Sequence, residues 1–259
     1  MTIKITFCKI VIFVIFFNFI IHNAYSLEKN SFIIGVQNFE EYLPYSEYKN
    51  NKYNGFNREI LDFFASSKGY KFIYKAYPIK RLYKYFLNGK VDLKYPDNPY
   101  WSAKLKKGKD LTYSKPVVKY IDGVIVLKVN KGRGIEHLKL LGVIRGFTPF
   151  AYLNQIKSGT IKVNENDDYS GLLLQTIKRR VDGAYSNIAV SQYYLENVIQ
   201  KKNALVFDPD LPHTSSHRHL SSLKHPKLIN EFNNFLKTQR TAIEKLKNKH
   251  QVEELVKEY

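Results

Sequence analysis

The sequence states one phrase twice, and the repetition constrains the fold more than any other feature. An amphipathic stretch closes on a short basic or Gly-containing turn, followed by Val-Asp and then strand-like residues. The first copy runs from Arg81 to Asp92, ending Asn88-Gly89-Lys90-Val91-Asp92. The second runs from Gly171 to Ala184, ending Lys178-Arg179-Arg180-Val181-Asp182-Gly183-Ala184. Apolar residues recur at helical spacing before each Val-Asp, after which the pattern shifts toward a strand. One α/β unit used in two places predicts two lobes of similar build, with a cleft between them where function should lie.

The N-terminus reads as an export signal. Lys4 and Lys9 form a positive start, Ile10 to Ile21 is apolar apart from Asn18, and Ala24-Tyr25-Ser26 supplies a small-x-small cleavage site. The apolar run falls short of the roughly 20 residues a spanning helix needs. Cleavage after Ser26 would leave 233 of the 259 residues, none of them cysteine, since Cys8 lies inside the signal. The mature chain then has no disulfide and no thiol nucleophile, so its stability must come from core packing. Its length fits one large domain or two small lobes.

The net charge of +18 falls to +16 once Lys4 and Lys9 are removed. Lysines are spread along the whole chain, as a Lys/Asn/Ile-rich composition produces. Without a compact basic stripe or a nucleic-acid module, nucleic acid is not an expected partner. Acidic solutes, cell wall and lipid headgroups remain candidate sources of attraction.

Element patterns support an α/β reading. Ser31 to Val36 is a buried strand, Asn57 to Ser67 a helix with Ile60, Leu61, Phe63 and Phe64 inward, and Gly69 its C′ residue. A strand at 71–75 and a helix opened by Pro78 follow. The strand–helix pattern restarts at Leu141 after the apolar strand Gly123 to Leu127, and the last third from Pro226 is helical. Mainly parallel sheets flanked by helices are expected, with no long linker between lobes.

In this order and spacing the motifs resemble the bacterial extracellular solute-binding proteins of family 3, the amino-acid type. The resemblance rests on Gly35 to Tyr45, Asn54-Gly55-Phe56-Asn57-Arg58-Glu59, Gly89-Lys90-Val91-Asp92 and Leu111-Thr112-Tyr113-Ser114-Lys115-Pro116. Gly142 to Thr148 and Val181 through Tyr194 complete it. It implies the bilobal type II periplasmic-binding fold, two mainly parallel sheets joined by two crossing segments. Lobe 1 would span 27–123 plus 214–259, and lobe 2 would span 124–213. Ligand would close the hinge by binding the closed form better.

The resemblance also implies a grip on an amino acid: an Arg of lobe 1 on the carboxylate and an Asp of lobe 2 on the ammonium. This sequence departs from both. The segment before Thr112 holds Lys104 and Lys106 but no arginine, and lysine lacks the planar fork that matches a carboxylate. The position five residues after Asp182 is Asn187, which can accept one hydrogen bond but cannot neutralise a cation. An anionic or neutral polar solute is therefore expected in preference to an ordinary amino acid held in the ordinary way.

Further ligand candidates come from the loops. Arg145-Gly146-Phe147-Thr148 joins a strand to a predicted helix, which would aim N–H groups and the Thr148 hydroxyl at an anion, with Arg145 adding charge or lying on the surface. Tyr42 stands where the family stacks a ring on ligand, and Tyr45 follows Pro44 as a wall. The loop Tyr95-Pro96-Asp97-Asn98-Pro99-Tyr100-Trp101 leaves a strand at its C-terminal end, and Asp97, Asn98 and Trp101 are candidates there. His213, His217 and His219 lie on a crossing segment without a cysteine, and no metal or other cofactor is expected.

The leading expectation is a periplasmic, monomeric, non-catalytic receptor that delivers a small polar solute, anionic or amino-acid-like, to an ABC transporter permease or a sensor. The alternatives are a dehydratase-like enzyme on the same fold, drawing on Glu41, Glu59 or Asp97 as acid or base, and a polyanion- or cell-surface-binding protein.

Overall fold

The computed structural model describes residues 30–253, so the export signal read at the N-terminus lies outside the described residues. Strand β1 (Ser31–Gln37) buries Phe32, Ile34 and Val36 and pairs in parallel with β4 (Lys71–Tyr77) and β5 (Leu93–Asp97). A small hairpin, β2 (Glu47–Lys49) and β3 (Lys52–Asn54), precedes helix α1 (Phe56–Lys68). That helix turns Phe56, Ile60, Leu61 and Phe64 into the core and ends at Gly69, whose φ of 70° only glycine adopts freely. Helix α2 (Ile79–Leu87) and the short α3 (Ala103–Lys106) flank β5, and β6 (Thr112–Tyr113) follows.

The second half is built the same way. Strands β8 (Leu140–Ile144), β9 (Lys162–Asn166) and β10 (Gly183–Asn187) are parallel, with α4 (Leu153–Lys157), α5 (Tyr169–Ile177) and α6 (Ile188–Asn197) around them. Strand β7 (Val118–Leu127) lies antiparallel to β10 and to β11 (Leu205–Phe207). Strand β12 (Thr214–Ser222) lies antiparallel to β5 and β6. Helices α7 (Pro226–Thr238) and α8 (Arg240–His250) then close the first half, α7 burying Leu228, Ile229, Phe232 and Phe235.

The two halves join where β7 and β12 pair antiparallel, Val118 to Asp122 against Thr214 to Arg218, giving the strand order β4-β1-β5-β12-β7-β10-β8-β9. The expected crossing segments are thus strands bonded to each other.

Packing explains the repeated phrase. A Cβ on Gly35 would stand 2.6 Å from Leu82 Cδ1 and 3.0 Å from Val91 Cγ2. A Cβ on Gly142 would stand 2.6 Å from Leu172 Cδ1 and 3.3 Å from Val181 Cγ2. In each half a strand glycine lets the helix leucine and the valine of Val-Asp seat against the sheet. The aspartate then ties the strands together: Asp92 Oδ2 accepts from Ile33 N–H at 2.8 Å, and Asp182 Oδ2 accepts from Lys139 and Leu140 N–H at 2.8 and 2.7 Å.

Candidate functional site

A cavity of about 90 Å³ lies where the two halves meet. Gln37, Tyr42, Ile79, Tyr83, Trp101 and Ser102 line it from the first half, and Phe147, Thr148, Phe150, Tyr185 and Ser186 from the second. Asp122, on the shared strand β7, supplies the carboxylate of this wall. A cavity of about 150 Å³ takes a benzene-sized molecule, so a space of this order suits a small solute.

Asp122 is the residue that most changes the sequence reading. Its Oδ1 accepts a 2.9 Å hydrogen bond from Asn187 Nδ2. Asn187 also caps α6, its Oδ1 accepting from Val190 N–H at 3.3 Å. The amide that replaces the expected carboxylate therefore orients another carboxylate beside it. Burial pushes the Asp122 carboxyl above its usual range, opposed by the Arg218 charge and the Asn187 hydrogen bond. The carboxylate missing at position 187 is thus matched by one beside it: the acid comes from the crossing strand, where it interrupts the apolar run Tyr120 to Leu127. That lone acidic residue among apolar ones was the signal available in the sequence.

Arg218, on β12, is the second residue that sequence reasoning passed over, hidden between His217 and His219. It is 1% exposed. Its guanidinium carbon lies 4.0 Å from the ring centre of Tyr45, 5.1 Å from Tyr42, 5.3 Å from Tyr120 and 6.0 Å from Trp101. Nη2 donates to the Tyr42 hydroxyl at 2.7 Å. Tyr45 is therefore a wall of this compartment behind the cavity, with its own hydroxyl donating to Val252 O at 3.1 Å.

The Tyr95–Trp101 loop is held by a buried charge cluster. Asp97 Oδ1 accepts from Lys106 Nζ at 2.8 Å, Lys94 Nζ at 3.3 Å, Tyr83 Oη at 3.2 Å and Asn98 N–H at 2.8 Å, and Oδ2 accepts from Ser221 Oγ at 2.7 Å. Burial pushes the Asp97 carboxyl up, but Lys94 and Lys106 outweigh it and hold it below the usual range. Burial pulls Lys94 down to about 8 despite Asp97. Asn98 Nδ2 donates to Ser216 Oγ and His217 O at 3.0 and 2.9 Å. Asp97, Asn98 and Lys106 thus anchor the loop from behind, while its end, Trp101, faces the cavity and donates from Nε1 to Tyr120 Oη at 3.0 Å.

Of the remaining candidates, Tyr42 and Thr148 line the cavity. Lys104 is exposed on α3. Arg145 lies outside the cavity in exposed ion pairs with Glu165 at 3.4 Å and Asp167 at 3.0 Å. Around it the Arg145, Phe147 and Phe150 N–H groups donate to Asn166, Ile144 and Thr148 carbonyls, and the turn leads into a short 3₁₀ stretch, Phe150–Tyr152, before α4, while Gly146, Phe147 and Thr148 line the cavity. His219 Nδ1 lies 2.7 Å from Ser114 O and His213 Nδ1 3.0 Å from Leu211 O. Among the described residues no three His, Cys, Asp or Glu side chains gather as a metal would need.

The sheet runs across two shared strands, with a polar, aromatic-walled cavity at the junction. The chain belongs to the bacterial extracellular solute-binding proteins, family 3, whose sequence profile matches residues 33–259. Among solved structures it is similar to an ancestral arginine-binding protein bound to arginine, at 19% identity and a TM-score of 0.66, over 85% of this chain and 98% of that one. An arginine 3rd transport system periplasmic binding protein from Legionella pneumophila is 17% identical with a TM-score of 0.65, over 85% and 99%. The ancestral amino-acid-binding protein AncCDT-1, a precursor of cyclohexadienyl dehydratase, is 20% identical with a TM-score of 0.64, over 85% and 95%. These likenesses establish the type II periplasmic-binding fold. No curated protein matches the chain. No helix among the described residues is long and apolar enough to cross a membrane.

Proposed function

We propose that the protein is a periplasmic receptor, exported by a cleaved signal, that captures a small amine-bearing, amino-acid-like solute and presents it as a monomer to an ABC transporter permease. The observation that carries this reading is Asp122, among the described residues the one charged side chain lining a small cavity whose other side chains are hydroxyls, an amide, rings and Ile79. An ammonium group would be held by Asp122, with the Thr148 and Ser186 hydroxyls and Gln37 meeting the other polar groups and Tyr42 and Trp101 enclosing the apolar part. Asp97, Asn98, Lys106, Tyr45 and Asn187 act behind these residues, and Lys104 and Arg145 take no part. The lobes would be 27–123 with 214–259, and 124–213, hinged at β7 and β12.

The three carboxylates that the sequence offered for catalysis are engaged elsewhere. Asp97 is enclosed by five donors, Glu41 is bonded to Ser170, and Glu59 pairs with Lys249 and His250 on α8. None of these three lines the cavity to act as an acid or base. The solved structures described above, bound to or transporting amino acids, support the solute class.

A thermal-shift panel of amino acids, organic acids, sugars and inorganic anions tests the proposal. A ligand at 100 times its dissociation constant stabilises by about 2.7 kcal/mol. Stabilisation by an amine-bearing compound that disappears in D122N is expected. A panel with no shift, or turnover of the compound that binds, would overturn the receptor reading.

A further inference from the structure

The Arg218 guanidinium fills a compartment built for a cation. Its four rings stand within about 6 Å, the reach of a cation–π contact. Two of those rings, Tyr42 and Trp101, also form the cavity wall, and Asp122, which lines the cavity, lies close enough for its charge to act on Arg218. Among the described residues Arg218 Nε and Nη1 have no hydrogen-bond partner, so the guanidinium depends on the rings, the Tyr42 hydroxyl and the field of Asp122. A cationic compartment next to the ligand cavity is therefore already occupied, by the chain itself.

The other charges against the wall point the same way. Lys94 Nζ lies 4.5 Å from the Tyr83 ring centre and 5.8 Å from that of Trp101, and Lys106 Nζ 5.2 Å from Tyr83. Among the described residues, the charged groups seated on these rings or lining the cavity are thus three cations, Lys94, Lys106 and Arg218, against two carboxylates, Asp97 and Asp122. Asp97 is taken up by the two lysines. Asp122 is then the one carboxylate among the described residues lining the cavity, and it already stands in the field of Arg218. A second cationic group on the ligand would enter a poorly solvated site with no carboxylate left, and a buried unpaired charge is costly.

We propose that Arg218 is a specificity-determining residue: by occupying the aromatic compartment it reserves the cleft for amine-bearing solutes of net charge zero or negative and rejects those carrying a second cation, such as lysine or arginine. This inference rests on the receptor reading above and adds the charge class of the solute.

Calorimetry on the protein expressed from its full-length chain, with glycine, alanine, serine, glutamate, lysine and arginine as ligands, tests it, together with R218M and R218K. In the native protein at least one neutral or acidic amino acid should bind, with lysine and arginine at least 100-fold weaker. R218M, similar in length but uncharged, should narrow that gap at least 10-fold, whereas R218K, which keeps the charge, should preserve the order. Native protein that binds lysine or arginine as tightly as the best neutral amino acid overturns the inference while leaving the receptor reading intact. So does a folded R218M with the native order. If R218M does not fold, the native order and its retention in R218K decide. No binding by any compound in the native protein withdraws the receptor reading and this inference with it.

Discussion

The Glu41 carboxylate accepts a 2.9 Å hydrogen bond from Ser170 N–H and bonds of 3.0 and 3.1 Å from the Ser170 hydroxyl. Glu41 belongs to the loop after β1 and Ser170 to the first turn of α5, so the contact ties the first half of the molecule to the second. A carboxylate at a helix N-terminus meets free N–H groups and the positive end of the helix dipole, a favourable interaction of about 0.3–1 kcal/mol. The rings of Phe39 and Tyr42 pack beside it against Phe147 and Tyr169, at centroid distances of 5.5 to 6.1 Å.

On the hinged reading proposed above, a contact of this kind favours the closed arrangement. E41A should weaken ligand binding by up to about 5-fold, the equivalent of about 1 kcal/mol, by lowering the closed population. Scattering profiles of the unliganded variant should show a larger radius of gyration than those of the native protein. Because the contact is half-exposed, the melting temperature should change little. Unchanged affinity together with an unchanged radius would remove Glu41 from the closure.

Lys94 gives the wall a titration near the physiological range. Burial holds its ammonium at about 8, and it lies 5.8 Å from the ring of Trp101, the only tryptophan in the sequence. Intrinsic fluorescence should therefore step with a midpoint near pH 8, and K94M should abolish the step. Stability has a defined sign here. Below pH 8 Lys94 is charged both folded and unfolded, and its burial works against the fold. Between about 8 and the ordinary lysine value of about 10.4, the unfolded chain binds the extra proton, so this group's contribution to stability rises with pH.

Much of the architecture was legible in the sequence because its signals are local. Gly35 with Leu82 and Val91, and Gly142 with Leu172 and Val181, each form one packing unit, so the two phrases announce two α/β halves. Trp101 and Thr148 were legible as wall residues because they lie on loops that leave strand ends, and Tyr42 through the family resemblance. Asp122 and Arg218 were not. They are far apart in sequence and meet only through the antiparallel register of β7 and β12, which no local pattern encodes. Lys106 and Arg145 misled for the opposite reason: a basic loop looks alike whether its charges face a ligand or, as here, Asp97, Glu165 and Asp167.

Asp122 should show the opposition between ligand binding and stability that buried charges create. Burial raises its carboxyl above the ordinary range, so the folded chain binds this proton more tightly than the unfolded chain does. The stability gained from the proton is complete below the unfolded value of about 3.9 and is lost as pH rises through the raised folded value. D122N mimics the protonated form at every pH, and its side-chain oxygen can still accept from Asn187. Its melting temperature at pH 7 should rise by about 2–4 °C, as expected for about 1 kcal/mol in a chain of this size, while amine binding weakens. Native affinity should fall on acidification, through a midpoint above the ordinary aspartate value. A melting temperature lowered in D122N would show that Arg218 needs the Asp122 charge more than burial opposes it.

The Asn187–Asp122 pair allows the location of the charge to be tested directly. At 2.9 Å, only one member of the pair can be an unprotonated acid without severe repulsion. N187D keeps a side-chain oxygen able to cap α6 but sets two carboxyl groups against each other, so it should lower the melting temperature and weaken binding of the amine. D122N alone should weaken that binding more than N187D does, with ligand concentrations raised until its affinity can be read. In the double variant N187D/D122N the acid and the amide exchange places, the hydrogen bond can re-form with the amide now on β7 as donor, and one carboxylate is restored to the junction of β7 and β10. If the site requires a single carboxylate at this junction, the double variant should bind more tightly than D122N, with a coupling energy of about 1–3 kcal/mol measured by calorimetry over the cycle. Strict additivity of the two substitutions would mean that binding depends on Asp122 by its exact position on β7, and that the amide at 187 serves only the helix cap.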